Sequence, residues 1–199
     1  IDIDNDGDLD LFVSNQYDLS TTPWVGRVHF FRNIGSPENA DYIEEETNIL
    51  SKDIGQMLSP ELADLDGDGD MDILLGDFNG FIHFYENSSS GNELMFTFVE
   101  MVGNIDLSGN SVPTLADLDG DGDYDLLIGQ LNGNLDYYEN VGSPFNYQFV
   151  QSQFEDISTS GNSAPELIDL DSDGDVDLLL GSADEGIMVY MNIGYIQLQ

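Results

Sequence analysis

The stretch SPELADLDGDGDMDILLGDFNGFIHFYEN, Ser59 to Asn87, decides the fold. It joins a Pro-bearing lead-in, a loop with aspartate at alternate positions, an apolar run from Ile73 to Leu75 closed by Gly76, an Asn79-Gly80 turn, and a second strand-like run from Ile82 to Asn87. Apolar runs this short, bounded by turn residues, read as buried strands, and Asn-Gly between two of them is a strong hairpin signal.

The same arrangement recurs along the chain. Acidic loops start at Asp2, Asp64, Asp117 and Asp169, with spacings of 62, 53 and 52 residues. Lead-ins like Ser59-Pro60-Glu61-Leu62-Ala63 stand at Ser111 to Ala116 and at Ser163 to Ile168, and the first copy lacks one. Apolar runs follow every loop, at Leu11 to Val13, Ile73 to Leu75, Leu126 to Ile128 and Leu178 to Leu180. After the Asn79-Gly80 and Asn132-Gly133 turns come Ile82 to Asn87 and Leu135 to Asn140, and further strands are expected at Met95 to Met101 and Tyr147 to Gln151. Helix-period segments are nearly absent. A repeat of about four short antiparallel strands predicts an all-β fold, a β-propeller built from four-stranded blades. The approximate repeats are 1–56, without its first strand, then 57–109, 110–162 and 163–199, together one segment of a larger propeller. A β-solenoid is the coarse alternative, but its calcium repeats read Gly-Gly-x-Gly-x-Asp, which is absent.

The loops carry the chemistry. Positions 1, 3 and 5 are Asp2, Asp4 and Asp6; Asp64, Asp66 and Asp68; Asp117, Asp119 and Asp121; Asp169, Asp171 and Asp173. Position 7 is Asp8, Asp70, Asp123 or Asp175, and position 9 is Asp10, Asp72, Asp125 or Asp177. Calcium takes about 6 to 8 oxygens in flexible geometry, and short carboxylates at alternate positions of a tight loop can converge on it. Position 6 is Gly in every copy, which permits a positive φ and aims the position 7 carbonyl at the ion. Position 7 is therefore expected to ligate through its carbonyl, with its side chain in water. The loop begins like an EF-hand, but position 12, where an EF-hand has a bidentate Glu, is Val13, Leu75, Ile128 or Leu180. The loop must close on the position 9 Asp instead and join two strands. Magnesium wants stricter octahedral geometry and zinc wants His or Cys, so the expected cofactor is calcium, about one ion per repeat and mainly structural. The bland alternative, that Asp-Gly runs only form turns, weakens with each aligned copy.

Composition excludes other classes. Against 40 acidic residues stand Arg27, Arg32 and Lys52, for a formal net charge of −37. That charge repels nucleic acid and anionic membrane surfaces. Half of the acidic residues sit in the four loops, where such density calls for a cation. Without cysteine there are no disulfides, thiolate nucleophiles or Cys-type zinc sites. No apolar run is long enough to span a membrane as a helix. The chain opens inside a motif and without Met, so it is expected to be a fragment or a processed piece, with any secretion signal outside it.

The Pro lead-ins (Pro60, Pro113, Pro165), the Asp loops and the Gly-ended strands (Gly76, Gly129, Gly181) resemble the FG-GAP or VCBS repeat family, the integrin-α-like propellers common in secreted bacterial proteins. The resemblance covers essentially the whole chain. It implies the same ligand set and a propeller that usually closes with about seven blades, so four repeats would leave closure to other blades of a larger chain or assembly. It also implies an extracellular or cell-surface location, in bacteria, and a module for adhesion or recognition of a glycan or an extracellular protein. Similar calcium propellers occur among polysaccharide lyases. Such enzymes need cations against the sugar carboxylate, which three basic residues and two His poorly supply, so no enzymatic activity is expected. The alternatives are a structural spacer in a large surface protein and the non-catalytic scaffold of a polysaccharide-active enzyme.

One irregularity marks a ligand loop. From position 9 to the Asn that ends the next hairpin strand takes 15 residues in three copies (Asp72 to Asn87, Asp125 to Asn140, Asp177 to Asn192) but 23 from Asp10 to Asn33. The eight extra residues fall in the turn one strand length from the calcium loop, and the segment carries Tyr17, Pro23 and the only Trp, Trp24. Aromatic rings on a loop held by a rigid scaffold can stack on a sugar ring; the alternative is that Trp24 plugs a seam between blades. His29 and His83 occupy equivalent strand positions that hold Asp136 and Met188 in the other copies, so they read as a variable strand face.

Overall fold

The structure is a computed structural model that describes all residues except 4, 5, 20, 21, 47, 48, 90–93, 104, 106 and 193–199. The described residues form strands and no helix. The first sheet holds β1 (Leu11–Ser14), β2 (Val28–Asn33) and β3 (Tyr42–Glu46). The second holds β4 (Ser59–Ala63), β5 (Asp72–Gly76), β6 (Ile82–Asn87) and β7 (Phe96–Met101). The third holds β8 (Val112–Ala116), β9 (Asp125–Gly129), β10 (Leu135–Asn140) and β11 (Phe149–Ser152). The fourth holds β12 (Ala164–Ile168), β13 (Asp177–Ser182) and β14 (Gly186–Tyr190).

Within each sheet, spatial order follows chain order and every pairing is antiparallel. These are blade-like sheets, and the four do not close on themselves. In the first sheet Ile1 exchanges backbone hydrogen bonds with Asp10, in the place where Ala63 pairs with Asp72 in the second. The fourth strands start at Phe96 and Phe149, one and two residues later than expected. The Asn-Gly turns are also longer than a two-residue hairpin. Gly76 pairs with Ile82 and Gly129 with Leu135, leaving five residues in each connection, with Gly80 and Gly133 at positive φ.

The core lies between sheets. Strands β5 and β9 are buried on both faces, which is why they read as continuous apolar runs. Their alternate residues serve different neighbours. Ile73, Leu75 and Tyr85 pack with Val28 and Phe30 of the first sheet, while Leu74, Ile82 and Phe84 pack with Leu126, Ile128 and Tyr138 of the third. Leu127 and Tyr137 then meet Leu178 and Leu180 of the fourth. Face-to-face sheets of this kind, each buried against the next, are the propeller arrangement.

Two devices lock neighbouring blades. Where β5 and β9 end, a Cβ on Gly76 or Gly129 would strike the carbonyl oxygen of Ser111 or Ser163, the first residue of the next lead-in. The same serines accept the Asp77 and Gln130 N–H groups at 2.9 and 2.8 Å, so the Gly and the following Ser form one contact. The second device is lateral. Leu115 N–H of the third sheet donates to Glu61 Oε1 of the second at 2.9 Å, and Leu167 N–H of the fourth donates to Thr114 Oγ1 of the third at 3.4 Å.

Burial, reinforced by the Glu166 carboxylate, pushes Glu61 up to about 7 despite the Leu115 and Thr114 hydrogen bonds. A carboxyl raised above its unfolded value stabilises the fold below that unfolded value, and loses this contribution as pH rises through 7. Glu61→Gln keeps the acceptor and stays neutral. It is expected to raise stability by ~2 kcal/mol at pH 8 and to change little at pH 5. Urea unfolding of both proteins at the two pH values checks this, and an equal effect at both would contradict it.

Candidate metal centre

Each acidic loop is a chain of turns in which side-chain oxygens take up backbone N–H groups. The position 1 Asp accepts from position 4, as Gly67 to Asp64, Gly120 to Asp117 and Ser172 to Asp169, each at 2.7 Å. Its second oxygen accepts from the position 6 Gly at 3.0 to 3.2 Å in all four copies. In the first copy the Asp6 N–H also reaches Asp2, at 3.1 Å. Position 3 accepts from position 5, as Asp68 to Asp66, Asp121 to Asp119 and Asp173 to Asp171. Position 5 accepts from position 7, as Asp8 to Asp6, Asp70 to Asp68, Asp123 to Asp121 and Asp175 to Asp173. Asp4 lies outside the described residues.

Backbone conformation explains the loop glycines. Position 6 has φ between 95° and 98° in all four copies, the left-handed turn expected there. Position 4 is left-handed as well, at Gly67, Gly120 and Ser172, a requirement that the small residues at this position could have signalled.

Position 9 ties each loop to a neighbouring strand. Asp72 is buried, and its two oxygens accept the Asn87 N–H at 2.9 Å and the Leu65 N–H at 3.0 Å. Asp125 bridges Asn140 and Leu118 in the same way, Asp177 bridges Asn192 and Leu170, and Asp10 bridges Asn33 and Ile3. The carboxylate thus pins the loop's second residue to the end of the hairpin strand. The Asn it holds uses its own side chain on the next turn, as Asn33 Oδ1 accepts the Gly35 and Asp41 N–H groups, each at 3.0 Å. The spacing of 15 residues in three copies is the sequence trace of this bridge, which the first copy keeps across its insertion.

Three loops gather oxygens within 4.8 Å of one another: Asp64, Asp66 and Asp72; Asp117, Asp119 and Asp121; Asp169, Asp171 and Asp177. Oxygens on one calcium lie about 2.3 to 2.6 Å from it, hence at most ~5 Å apart across it, so these donor sets fit that ion. A calcium ion there would supply a positive charge shared by several carboxylates.

Position 7 departs from expectation in two copies. Asp70 is exposed, but Asp8 and Asp123 are buried, and a carboxyl oxygen of Asp123 has no partner among the described residues. The Asp123 side chain turns in beside Asp121 instead of out to water, and burial with the Asp121 charge pushes it up to about 6. Asp8 is raised by burial and by Asp6 and Asp2. Asp72 is also pushed up to about 6, burial outweighing its two N–H partners, and Asp125 and Asp171 are raised for the same leading reason. Carboxylates held this close are short of positive charge.

The first-copy insertion runs from β1 to β2, beyond the end of β1 remote from its acidic loop. The Tyr17 and Trp24 rings stack with centroids 5.4 Å apart and planes at 19°. Asp18 bridges to Val25 and its carboxylate holds Arg27 Nε at 2.7 Å. Gln56 Nε2 donates to the Trp24 carbonyl. Trp24 is 51% exposed and lines a groove of about 320 Å³ with Pro23, Gln56, Phe78 and Asn79. The two histidines are held by the residue that follows the preceding strand: His29 by Asn15, with Glu44 on its other nitrogen, and His83 by Asp77.

No helix among the described residues is long and apolar enough to cross a membrane. The family model described as FG-GAP-like repeat matches residues 2–75, 64–128 and 117–180. Each match runs from the first Asp of one loop to the apolar strand after the next loop, so the unit it recognises contains the interface between two sheets. Repeats of this family often bind calcium, are typically extracellular and are generally non-catalytic. From Asp2 to Leu180, loop by loop and strand by strand, this chain belongs to the FG-GAP-like repeat family.

Proposed function

We propose that the chain is a calcium-stabilised propeller module of a secreted or cell-surface protein, and that it serves recognition. The observation that carries the calcium role is the recurrence of converging aspartate oxygens, each set tied by position 9 to the strand that follows. Calcium joins the two ends of each loop and relieves their repulsion, so its role is structural. The recognition surface is the first-copy insertion, where Trp24, stacked on Tyr17, lines a groove with the amide side chains of Gln56 and Asn79. Flat aromatic faces beside amide donors suit a sugar ring, and the net charge of −37 favours uncharged or cationic sugars over acidic ones.

A glycan array probed with the chain, with calcium and with chelator, tests both parts. Binding is expected in calcium, lost in chelator, and weakened about tenfold by Trp24→Ala. Binding that ignores the substitution would place the site elsewhere. An absence of binding by folded, calcium-loaded protein would favour a protein ligand or a structural spacer.

A further inference from the structure

The third acidic loop differs from the second and fourth in how it places its carboxylates. In those two the converging oxygens come from positions 1, 3 and 9, as Asp64, Asp66 and Asp72 and as Asp169, Asp171 and Asp177. In the third they come from positions 1, 3 and 5, Asp117, Asp119 and Asp121, and Asp125 at position 9 stands outside the set. Asp125 is drawn elsewhere, since the Tyr137 hydroxyl joins the Asn140 and Leu118 N–H groups in serving its carboxylate. The residues that align with Tyr137 in the second and fourth sheets are Phe84 and Val189, which have no hydroxyl to offer.

The Asp123 side chain is the other difference. At the same position Asp70 is exposed and Asp175 partly so, whereas Asp123 is 6% exposed and its Oδ1 is buried without a partner among the described residues. Its carboxyl group lies against that of Asp121, with Asp125 and Asp119 also close by. Buried acceptors in folded proteins are paired, so an orphan of this kind marks a missing water or ion. A water molecule could donate to Oδ1, but it would leave the neighbouring carboxylates without a counter-charge. A cation answers both needs.

We propose that the Asp123 carboxylate, and not its carbonyl alone, is a ligand of the cation held by the third loop, filling there the place that position 9 fills in the second and fourth loops. This rests on the calcium reading above and deepens it, because the loops then hold their ions with different residues. Asp125 is left free to bridge Leu118 and Asn140, and the third loop still offers carboxylates from four positions. Calcium tolerates such a change of ligand, since its coordination is flexible and its demand is for a sufficient number of oxygens.

Calorimetric titration of calcium into the whole chain tests this, with Asp123→Asn compared against Asp70→Asn. Both substitutions remove one carboxylate at position 7 and keep the backbone carbonyl. Asp123→Asn is expected to weaken one site by at least about tenfold, the loss that even outer-shell partners of a metal produce, and to leave the others unchanged. Asp70→Asn is expected to leave every site close to wild type. Unfolding in chelator separates ligation from packing: an Asn amide can donate to Asp121, so the calcium-free Asp123→Asn chain is expected to be no less stable than wild type. Loss of calcium-free stability alongside the loss of affinity would assign Asp123 to packing and overturn the proposal. So would equal effects of the two substitutions, which mark a general field of charge, or an Asp123→Asn chain that binds like wild type. A wild-type chain that takes up no calcium would overturn the calcium reading and this assignment with it.

Discussion

Asp125→Ala is expected to destabilise the calcium-loaded chain by about 2–4 kcal/mol more than Asp121→Ala. Both substitutions remove a carboxylate from the same loop. Only the first also strands the Leu118 and Asn140 N–H groups, which Asp125 accepts at 3.1 and 2.8 Å. Each buried N–H left without a partner costs about 1–3 kcal/mol, partly offset by removal of a buried carboxyl whose pKa is raised. Asp121 is exposed and accepts the neighbouring Asp123 N–H, so its loss is felt mainly through the ion. Urea unfolding in saturating calcium gives both values. Equal losses would mean that position 9 is a ligand like the others and that its bridge contributes little.

Removing calcium is expected to have the larger effect. A site filled at about a thousandfold excess over its dissociation constant adds ~4 kcal/mol. Several sites together reach the ~5–15 kcal/mol that a whole domain possesses, so the chain in chelator should be barely folded. The pH dependence separates ion binding from general acid sensitivity. Asp72 and Asp123 are pushed up to about 6, and Asp8, Asp125 and Asp171 are raised as well. Groups raised in the folded state stabilise it below their unfolded values, and that contribution is lost as pH climbs through their folded values, about 6 for Asp72 and Asp123. The calcium-free chain should therefore be more stable at pH 5 than at pH 8. Calcium needs the ionised carboxylates, so the loaded chain should show the opposite order. Calorimetry at both pH values, with calcium and with chelator, reads the crossing; parallel curves would rule out these carboxylates as the coupled groups.

The strands after the loops, the hairpins ending at Asn87 and Asn140, and the insertion around Trp24 were legible because each rests on a local pattern repeated at fixed spacing. What stayed hidden depends on partners far away in the chain. Nothing local to Glu61 announces that it accepts the N–H of Leu115, and the Ser that opens each lead-in does not reveal that it occupies the space a Cβ on Gly76 or Gly129 would need. Asp8 and Asp123 were expected in water because only the carbonyl of position 7 was expected to ligate, but a loop this tight folds one side chain back against its neighbours. Position 9 was read as a ligand and not as a bridge, since the bridge appears only when the hairpin strand returns beside the loop.

Calcium stoichiometry by equilibrium dialysis is the most direct test of the central claim that the aspartate loops are calcium sites. The expected result is about one ion per repeat in the wild-type chain, with one ion fewer after Asp117→Asn, Asp119→Asn and Asp121→Asn are combined. A folded chain that takes up no calcium at millimolar concentrations, or one whose uptake is unchanged by the triple substitution, would contradict it.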